Sequence, residues 1–219
     1  MIKKIKQIYA NKKLFDKLNH LNIKESGIDK DGDPFVILND GIIFYGSQLK
    51  SKTYDYLYQI LHLETKKVLK QECIKVALDI MIRYVEGGLK YGGPKKQSRY
   101  KLITGDYVAE MGAYQGFCSL KLAQQVGPNG RVVAIEPMPD NFRLLKKNKE
   151  ANNLNQLILS NKGVWDSTKD LVFNRRIGDE QSSSVELVYN KTEHFTVKAD
   201  TLDNIFEEVG VEAKDFMII

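Results

Sequence analysis

Short apolar runs alternate with stretches of helical periodicity over the second half of the chain. The apolar runs predict strands at Asp106–Met111, at Arg131–Ile135 and from Leu157 onward. Between these strands, Phe117–Val126 and Asp140–Asn152 have the pattern of helices, the second with its first residue as N-cap. Strands that alternate with helices of this length imply right-handed crossovers and a parallel sheet. The pattern therefore predicts an α/β fold.

The alternation of predicted strands and helices stops between residues 170 and 198. Three short apolar segments there predict antiparallel strands, at Leu171–Phe173, Ser184–Val188 and Phe195–Val197. A short helix at Leu202–Val209 follows, and Phe216–Ile219 predicts a fourth parallel strand. The second half of the chain thus combines a parallel sheet with a β insertion.

The first half has a different pattern. Residues 1–25 have near-helical spacing, residues 26–34 form a turn cluster, and residues 53–86 are again helical in pattern. Phe35–Leu38 and Ile42–Tyr45 flank Asn39-Asp-Gly41 and predict a β-hairpin. We therefore predict a helical and hairpin extension over residues 1–97 and an α/β domain over residues 98–219.

Three acids in the turn cluster, Asp29, Asp31 and Asp33, invite comparison with a calcium loop. Such a loop needs glycine at its sixth position and glutamate at its twelfth. Counted from Asp29, those positions hold Pro34 and Asp40. The match fails, and the sequence predicts no metal site.

The residues with the clearest chemistry follow the first two predicted strands of the α/β domain. The first strand ends in Glu110 and turns through Gly112 and Gly116 into a helix, and the second ends in Glu136. Ligands of doubly wound sheets bind outside the carboxyl ends of the strands, where glycines allow the backbone to approach closely. An acid at the end of the second strand can accept hydrogen bonds from both hydroxyls of a ribose. These residues predict a pocket for an adenosine-containing cofactor.

The glycine spacing and the charges narrow the choice of cofactor. Gly112-Ala-Tyr-Gln-Gly116 has one glycine fewer than the dinucleotide fingerprint. The carboxylate of Glu110 would repel a diphosphate, but it suits the ammonium group of a methionine moiety. We therefore expect S-adenosylmethionine, which carries a sulfonium, an ammonium and a ribose but no phosphate, rather than a nicotinamide dinucleotide.

From about Ser98 to its end, the chain resembles the FkbM-type methyltransferases, which use S-adenosylmethionine. The resemblance lies in an ordered series of short segments: Thr104-Gly-Asp106, Glu110-Met-Gly-Ala113, Gly127-Pro-Asn-Gly-Arg-Val-Val-Ala-Ile-Glu-Pro137, Asn141-Phe142, Leu144-Leu-Lys-Lys-Asn148, Asn152-Asn153, Asn161-Lys-Gly-Val-Trp-Asp166 and Asp200-Thr-Leu-Asp203. The chain departs from the family at Glu110, where Asp is usual, and at Tyr114, where Asn is usual. Family members also continue beyond Ile219, so we expect a Rossmann-like methyltransferase sheet that is truncated after its fourth parallel strand.

The residue pattern and the resemblance together imply a set of cofactor contacts. We expect Glu110 and the backbone of residues 112–116 to face the amino acid end of the cofactor and Glu136 to bind the ribose. Pro137 and Met138 should flank the adenine ring. By resemblance, Trp165 and Asp166, which we place at the end of the third strand, contact the adenine edge. The expected cofactor-binding residues are Glu110, Gly112, Ala113, Tyr114, Gly116, Glu136, Pro137, Met138, Trp165 and Asp166.

Methyl transfer to a hydroxyl also needs a general base, which the sequence does not identify. None of the three histidines, His20, His62 and His194, lies at a predicted strand end. Of the three, His194 borders the β insertion and is the best placed. The catalytic residues and the methyl acceptor therefore stay open, although O-methylation of a sugar or small metabolite is the favoured reaction.

Composition excludes several classes of protein. The 219 residues include 42% hydrophobic and 28% charged residues, ordinary for a globular protein, and no apolar run has the length of a membrane span. The N-terminal residues lack the apolar core of a signal peptide, so we expect a cytoplasmic location. Two cysteines, Cys73 and Cys118, are too few for a disulfide framework, and we interpret both as small buried hydrophobes.

Two alternatives remain open. The net charge of +5, with lysines concentrated in residues 1–24, would suit an RNA methyltransferase, but we interpret that segment as a solvated helix face and consider nucleic-acid binding the weaker hypothesis. The second alternative is a truncated module that binds the cofactor without catalysis. We expect a small-molecule or glycan substrate and no membrane span. The oligomeric state is undetermined.

Overall fold

The computed structural model describes residues 21–47, 69–85, 102–176, 183–184, 192–212 and 216–218. The chain divides into two compact units, Met1–Glu86 and Gly87–Ile219. The predicted boundary between residues 97 and 98 lies outside the described residues. Each unit has its own arrangement of strands and helices.

The N-terminal unit contains a three-stranded antiparallel sheet in the order β1-β2-β3. Its strands are β1 (Ile23–Ile28), β2 (Pro34–Leu38) and β3 (Ile43–Tyr45). The pairing of β2 with β3 confirms the predicted hairpin. The prediction of helix up to residue 25 is wrong at its end, because β1 begins at Ile23 and pairs with β2. Residues 1–20 lie outside the described part.

The turn between β1 and β2 uses the acids that resemble a calcium loop. The carboxylates of Asp29, Asp31 and Asp33 lie within 4.8 Å of one another. Asp29 Oδ1 accepts the backbone N–H of Asp31 at 2.9 Å and of Asp33 at 3.0 Å. Asx turns of this kind are a common reason for aspartates in tight turns, so these bonds account for the role of Asp29 in the loop.

A helical segment completes the described part of this unit and confirms, for residues 71–85, the helix predicted over residues 53–86. A 3-10 turn at Gln71–Cys73 leads into α1 (Ile74–Asp79) and a π-helical turn at Ile80–Val85. Cys73 is fully buried, as the sequence predicts, and its Sγ lies 3.1 Å from the carbonyl oxygen of Gly27.

The second unit is built on a four-stranded parallel sheet in the order β11-β4-β5-β6. Its elements are β4 (Tyr107–Met111), α2 (Phe117–Val126), β5 (Arg131–Ile135), α3 (Pro139–Ala151), β6 (Leu157–Ser160), α4 (Leu202–Glu208) and β11 (Phe216–Ile218). The predicted α/β class and the four parallel strands are confirmed. Side chains of α4 cover one face of the sheet, where Ile205 and Phe206 pack on Ala109, Val133 and Ile135.

The start of α3 differs from the prediction. Its N-cap is Met138, which makes no side-chain cap, and Pro139 occupies the first turn. Proline suits this position because its fixed φ is helical and no N–H is lost there. Asp140 therefore lies inside the helix, and its carboxylate is available for a contact outside α3.

The β insertion forms a second sheet in the order β7-β10-β8-β9. Its strands are β7 (Gly163–Val164), β8 (Lys169–Arg176), β9 (Ser183–Ser184) and β10 (Thr192–Asp200). The predicted antiparallel pairing is confirmed for β8 and β10, but both strands are longer than their apolar centres. Cross-strand charge pairs such as Lys198 with Asp170 extend the ladder beyond the apolar residues. Residues 185–190 lie outside the described part.

Candidate functional site

The strand order places a crevice beside β4. From β4 the chain moves to β5 and β6 on one side, and it then returns to β11 on the other side of β4. Such a reversal of direction is a topological switch point, and open α/β sheets bind ligands outside the carboxyl ends of the strands there. The segments that follow β4, β5 and β6 are therefore the walls of the candidate site.

The turn after β4 approaches the end of β5 closely. The backbone N–H groups of Gly112 and Ala113 donate to the Ile135 carbonyl at 2.9 and 3.0 Å. Gly112, Tyr114 and Gly116 all have positive φ, at 78°, 54° and 85°. Tyr114 is the residue where the resembled family usually has Asn. Since Asn occupies this left-handed region more readily than Tyr does, the backbone conformation gives a physical reason for that preference.

Glu136, the residue after β5, connects the two turns. Its carboxylate accepts the backbone N–H of Tyr114 on Oε2 at 2.8 Å and that of Met138 on Oε1 at 2.9 Å. The residue is 4% exposed. Burial raises the pKa of this carboxyl group, and the hydrogen bonds from Met138, Tyr114 and the Asn141 side chain oppose the rise. The predicted ribose acid is thus held in place from both sides of the crevice.

A group of buried amides that the sequence analysis did not assign to the site lies behind Glu136. The side chain of Gln115 donates to Asn141 Oδ1 at 3.3 Å, and Asn148 Nδ2 donates to the Gln115 carbonyl at 2.8 Å. All three residues are at most 4% exposed. A sequence signal existed, because Asn141 and Asn148 share the buried face of α3 with Leu144 and Leu145. Polar residues on a buried helix face need partners and therefore mark a specific contact.

Glu110 lies one residue before the end of β4 and is 6% exposed. Its Oε2 accepts the hydroxyl of Ser119 at 2.5 Å, which ties the carboxylate to the first turn of α2. The structure thus brings the two predicted acids, Glu110 and Glu136, to the ends of neighbouring strands, each fixed by a hydrogen bond from the turn or helix that follows β4.

The placement of Trp165 and Asp166 at the end of the third strand is wrong. The third parallel strand, β6, ends at Ser160, and Asn161 follows it directly. Asn161 Nδ2 donates to the carbonyls of Glu136 at 2.8 Å and Pro137 at 3.2 Å. Gly163 and Val164 then pair with β10, so the residues after them belong to the second sheet. Ser160, Asn161 and Lys162 separate the apolar residues of β6 from Gly163, where the second sheet begins.

Trp165 and Asp166 therefore have a different setting from the one predicted. The Trp165 backbone N–H donates to the Asp200 carbonyl at 2.8 Å, and its indole, 37% exposed, has Lys169 Nζ 5.0 Å from its ring centroid. Asp166 is exposed and accepts from Ser167 and Lys169. Hydrogen bonds from these two side chains lower the pKa of Asp166.

Asp200 fixes the loop between β6 and β8. Its side chain accepts from Thr168 at 2.7 Å, from Asn204 at 2.7 Å and from Lys162 at 3.1 Å. The hydrogen bonds from Thr168 and Asn204 hold the pKa of this carboxyl well below its usual range. Lys162 also contacts Glu208 of α4. This cluster, part of the Asp200-Thr-Leu-Asp203 segment, joins the β insertion to the parallel sheet.

The described residues do not identify a general base. His194 is exposed on β10, and its Nδ1 lies 2.8 Å from Asn174 Oδ1. His20 and His62 lie outside the described residues. Across the described ranges, no helix combines the length and apolar character that crossing a membrane requires.

One known protein family matches the part of the chain that contains these segments. The family described as the methyltransferase FkbM domain matches residues 110–219, half of the chain. The chain belongs to the FkbM methyltransferase family. The match begins at Glu110, so it includes the turn after β4, both site acids and the β insertion. No curated protein sequence matches the chain significantly.

Solved structures similar to this FkbM family chain match only part of its length. A protein-L-isoaspartate O-methyltransferase is 27% identical over 27% of this chain and 19% of its own, with a TM-score of 0.27. P. horikoshii TYW2 in complex with MeSAdo is 19% identical over 61% of this chain and 37% of its own, with a TM-score of 0.33. Aeropyrum pernix fibrillarin with natively bound S-adenosyl-L-methionine is 14% identical over 65% of this chain and 58% of its own, with a TM-score of 0.29. The chain thus spans less than two thirds of the length of each.

Proposed function

We propose that this FkbM family chain is an S-adenosylmethionine-dependent methyltransferase that acts on a hydroxyl group of a sugar or small metabolite. The observation that carries the proposal is the Glu136 carboxylate, which is buried at the switch point and held by the N–H groups of Tyr114 and Met138. A carboxylate fixed at this position suits a ribose hydroxyl. Membership of the family supports the reaction class.

The chemistry of the site fits this cofactor. Glu110 and Glu136 bring two carboxylates to the crevice, and no glycine-rich diphosphate turn accompanies them. Two acids would repel a dinucleotide diphosphate but would attract an ammonium group and accept from hydroxyls. The positive φ of Gly112 and Gly116 lets the backbone between them lie close to a ligand.

The proposed contacts follow the elements of the site. Glu110 and the turn after β4 take the amino acid end, Glu136 takes the ribose, and Pro137 and Met138 take the adenine. Trp165 and Asp166, which follow β7 and not β6, are assigned to the adenine on the family resemblance alone. In full, we propose Glu110, Gly112, Ala113, Tyr114, Gly116, Glu136, Pro137, Met138, Trp165 and Asp166 as cofactor-binding residues. Residues 98–219 would form the cofactor-binding domain and residues 1–97 an extension, with the cytoplasm as the place of action.

When bound, S-adenosylmethionine supplies a methyl group activated by its positive sulfur. The work of the chain is then to hold the ribose and the amino acid end in fixed positions, and to align the acceptor oxygen with the methyl carbon. Loss of the acceptor proton accompanies the transfer, and the residue that receives this proton is not assigned. The β insertion, joined to the parallel sheet through Asp200, is the proposed wall for the acceptor.

Calorimetric titration with S-adenosylmethionine and with NAD tests the proposal. We expect the chain to bind the first and not the second, and Glu136→Ala to abolish or strongly weaken binding. Glu150→Ala is the matched control, because Glu150 lies on α3 but is 64% exposed and pairs only loosely with Lys146, at 3.9 Å. Binding of NAD instead, or equal binding by Glu136→Ala and the wild type, would refute the proposed cofactor site.

The acceptor class needs a second experiment. Transfer of a labelled methyl group to a panel of free sugars, glycans, small hydroxylated metabolites and RNA would show which class accepts it. Labelling of hydroxyl groups of sugars or metabolites is expected. Labelling of RNA alone would instead favour the nucleic-acid hypothesis.

A further inference from the structure

Arg175 lies near the end of β8 and is buried although it carries a charge. Its side chain is 10% exposed, whereas those of its two acidic partners, Asp140 and Glu193, are 67% and 42% exposed. The guanidinium carbon lies 4.2 Å from the centroid of the Phe195 ring. Removing water from a guanidinium is costly unless charged or aromatic groups replace it. These contacts therefore hold Arg175 in one place.

The two acids bind Arg175 from different elements. Glu193 lies directly opposite Arg175 in the ladder of β8 and β10, and its Oε2 accepts from Nε at 3.3 Å and from Nη2 at 2.9 Å. Asp140 belongs to the first turn of α3, and its Oδ2 accepts from Nη1 at 3.3 Å and from Nη2 at 3.2 Å. One contact thus lies within the β insertion, and the other joins the insertion to α3.

Asp140 comes directly after the segment that leads from β5 into α3. In this segment, Met138 is the N-cap of α3 and donates its backbone N–H to Glu136 Oε1 at 2.9 Å. Pro139, whose ring fixes φ, connects Met138 to Asp140. Because this connection is short and stiff, a change in the position of Glu136 and Met138 also moves the carboxylate that Arg175 binds.

The β insertion is attached to its surroundings near both ends of β10. Toward the C-terminal end of this strand, Lys162 lies 3.1 Å from Asp200 and also contacts α4. Near its start, Arg175 binds Glu193 and connects the strand to α3 through Asp140. At about 3.3 Å per residue, the two attachments lie roughly 23 Å apart along β10. A single attachment would allow the second sheet to tilt, so the contact of Arg175 with Asp140 sets its angle.

We propose that Arg175 is a positioning residue that holds the β insertion, through Asp140, against the segment after β5. The inference rests on the proposed function, in which that segment binds the cofactor and the insertion forms the wall for the acceptor. Cofactor binding that fixes the segment then also fixes the insertion, so the acceptor meets a formed wall once the methyl donor is in place. Because coupling between two sites is reciprocal, loss of the contact also weakens cofactor binding.

Hydrogen exchange of backbone amides, read by mass spectrometry with and without saturating S-adenosylhomocysteine, measures this coupling. The amides of residues 192–197 report on the end of β10 that Arg175 binds. In the wild type, we expect the ligand to slow their exchange by about 5-fold or more, the lower end of typical coupling between two sites. Arg175→Met should reduce this slowing to less than about 2-fold, because the connection to α3 is lost.

Two variants that each remove one carboxylate separate the connection from local stability. Asp140→Asn removes the charge on α3, whereas Glu193→Gln removes the charge within the insertion and leaves the contact of Arg175 with Asp140 in place. We expect Asp140→Asn to lose the slowing, as Arg175→Met does, and Glu193→Gln to keep it. Because the Asp140 side chain is largely exposed, Asp140→Asn carries the test if Arg175→Met does not fold.

Calorimetry on the same samples shows whether S-adenosylhomocysteine is bound. Bound ligand that leaves the exchange of residues 192–197 unchanged in the wild type would overturn the inference. An equal loss of the slowing in Asp140→Asn and Glu193→Gln, or its persistence in Asp140→Asn, would do the same, because Arg175 would then only stabilise its own sheet. Failure of the wild type to bind S-adenosylhomocysteine at all would instead refute the proposed function, and the coupling with it.

Discussion

The glycines of the turn after β4 give a sharp test of its geometry. Gly116→Ala places a Cβ 2.5 Å from Leu145 Cδ1, and Leu145 is fully buried. The methyl of Leu145 therefore has little room to move away. Gly112→Ala is the matched control, because that glycine has a similar positive φ but no atom lies within 4 Å of an added Cβ.

The magnitudes follow from these two environments. A left-handed backbone costs an alanine about 1–2 kcal/mol, and both variants bear this cost. The change in unfolded-state entropy is also common to both, since each replaces Gly with Ala. Overpacking of a core adds about 1–3 kcal/mol, and only Gly116→Ala bears it. We therefore expect Gly116→Ala to lose about 2–5 kcal/mol and Gly112→Ala about 1–2 kcal/mol.

Urea denaturation without ligand measures both values, with an unchanged slope as the sign that the unfolding transition is the same. A second check is Leu145→Ala combined with Gly116→Ala, where removal of the clashing methyl should make the two changes less costly together than their sum. The reasoning is refuted if the two glycine variants lose the same free energy, or if the double variant is additive.

Three further predictions concern charge and exposure. Burial raises the pKa of Glu136 in the folded state, so the folded chain holds that proton more tightly. As the pH rises from the ordinary carboxyl range through the raised pKa, the ligand-free wild type should therefore lose stability relative to Glu136→Ala. Urea titrations at several pH values measure this difference in stability, and the opposite slope would contradict the prediction. Arg175→Met should lower the free energy of unfolding by about 1–2 kcal/mol in the same assay, because the buried guanidinium lies 3.2 Å from Asp140 and 2.9 Å from Glu193. The control Lys198→Met removes an exposed ion pair and should lower it by about 0–1 kcal/mol. Equal losses in the two variants would argue against the buried contact. In thiol labelling of the folded chain, half-buried Cys118 should react before Cys73, whose thiol pKa is raised by burial, and preferential labelling of Cys73 would contradict its burial.

Contacts between segments that lie far apart in the sequence were not predicted. Glu136 was predicted to bind the ribose, but neither the hydrogen bond from the N–H of Tyr114 to its carboxylate nor the buried contact between Gln115 and Asn141 was predicted. The change of sheet after Asn161 was also not predicted, because the partner of Gly163 and Val164 is β10, which lies far along the chain. Local patterns do not contain the identity of a partner far away in the chain.

The sequence alone predicted the alternating strands and helices of the parallel sheet, and it placed Glu110 and Glu136 near the ends of neighbouring strands. The helix Phe117–Val126 and the strand Arg131–Ile135 have the predicted bounds, because their apolar spacing and flanking glycines are local properties. The three-dimensional fold was needed to show which donors bind Glu136, that Asp140 contacts Arg175 instead of capping α3, and that Trp165 follows a strand of the second sheet. Buried polar groups find their hydrogen-bond partners among the residues that the fold brings near, and turns, helix ends and strand order together decide which residues those are.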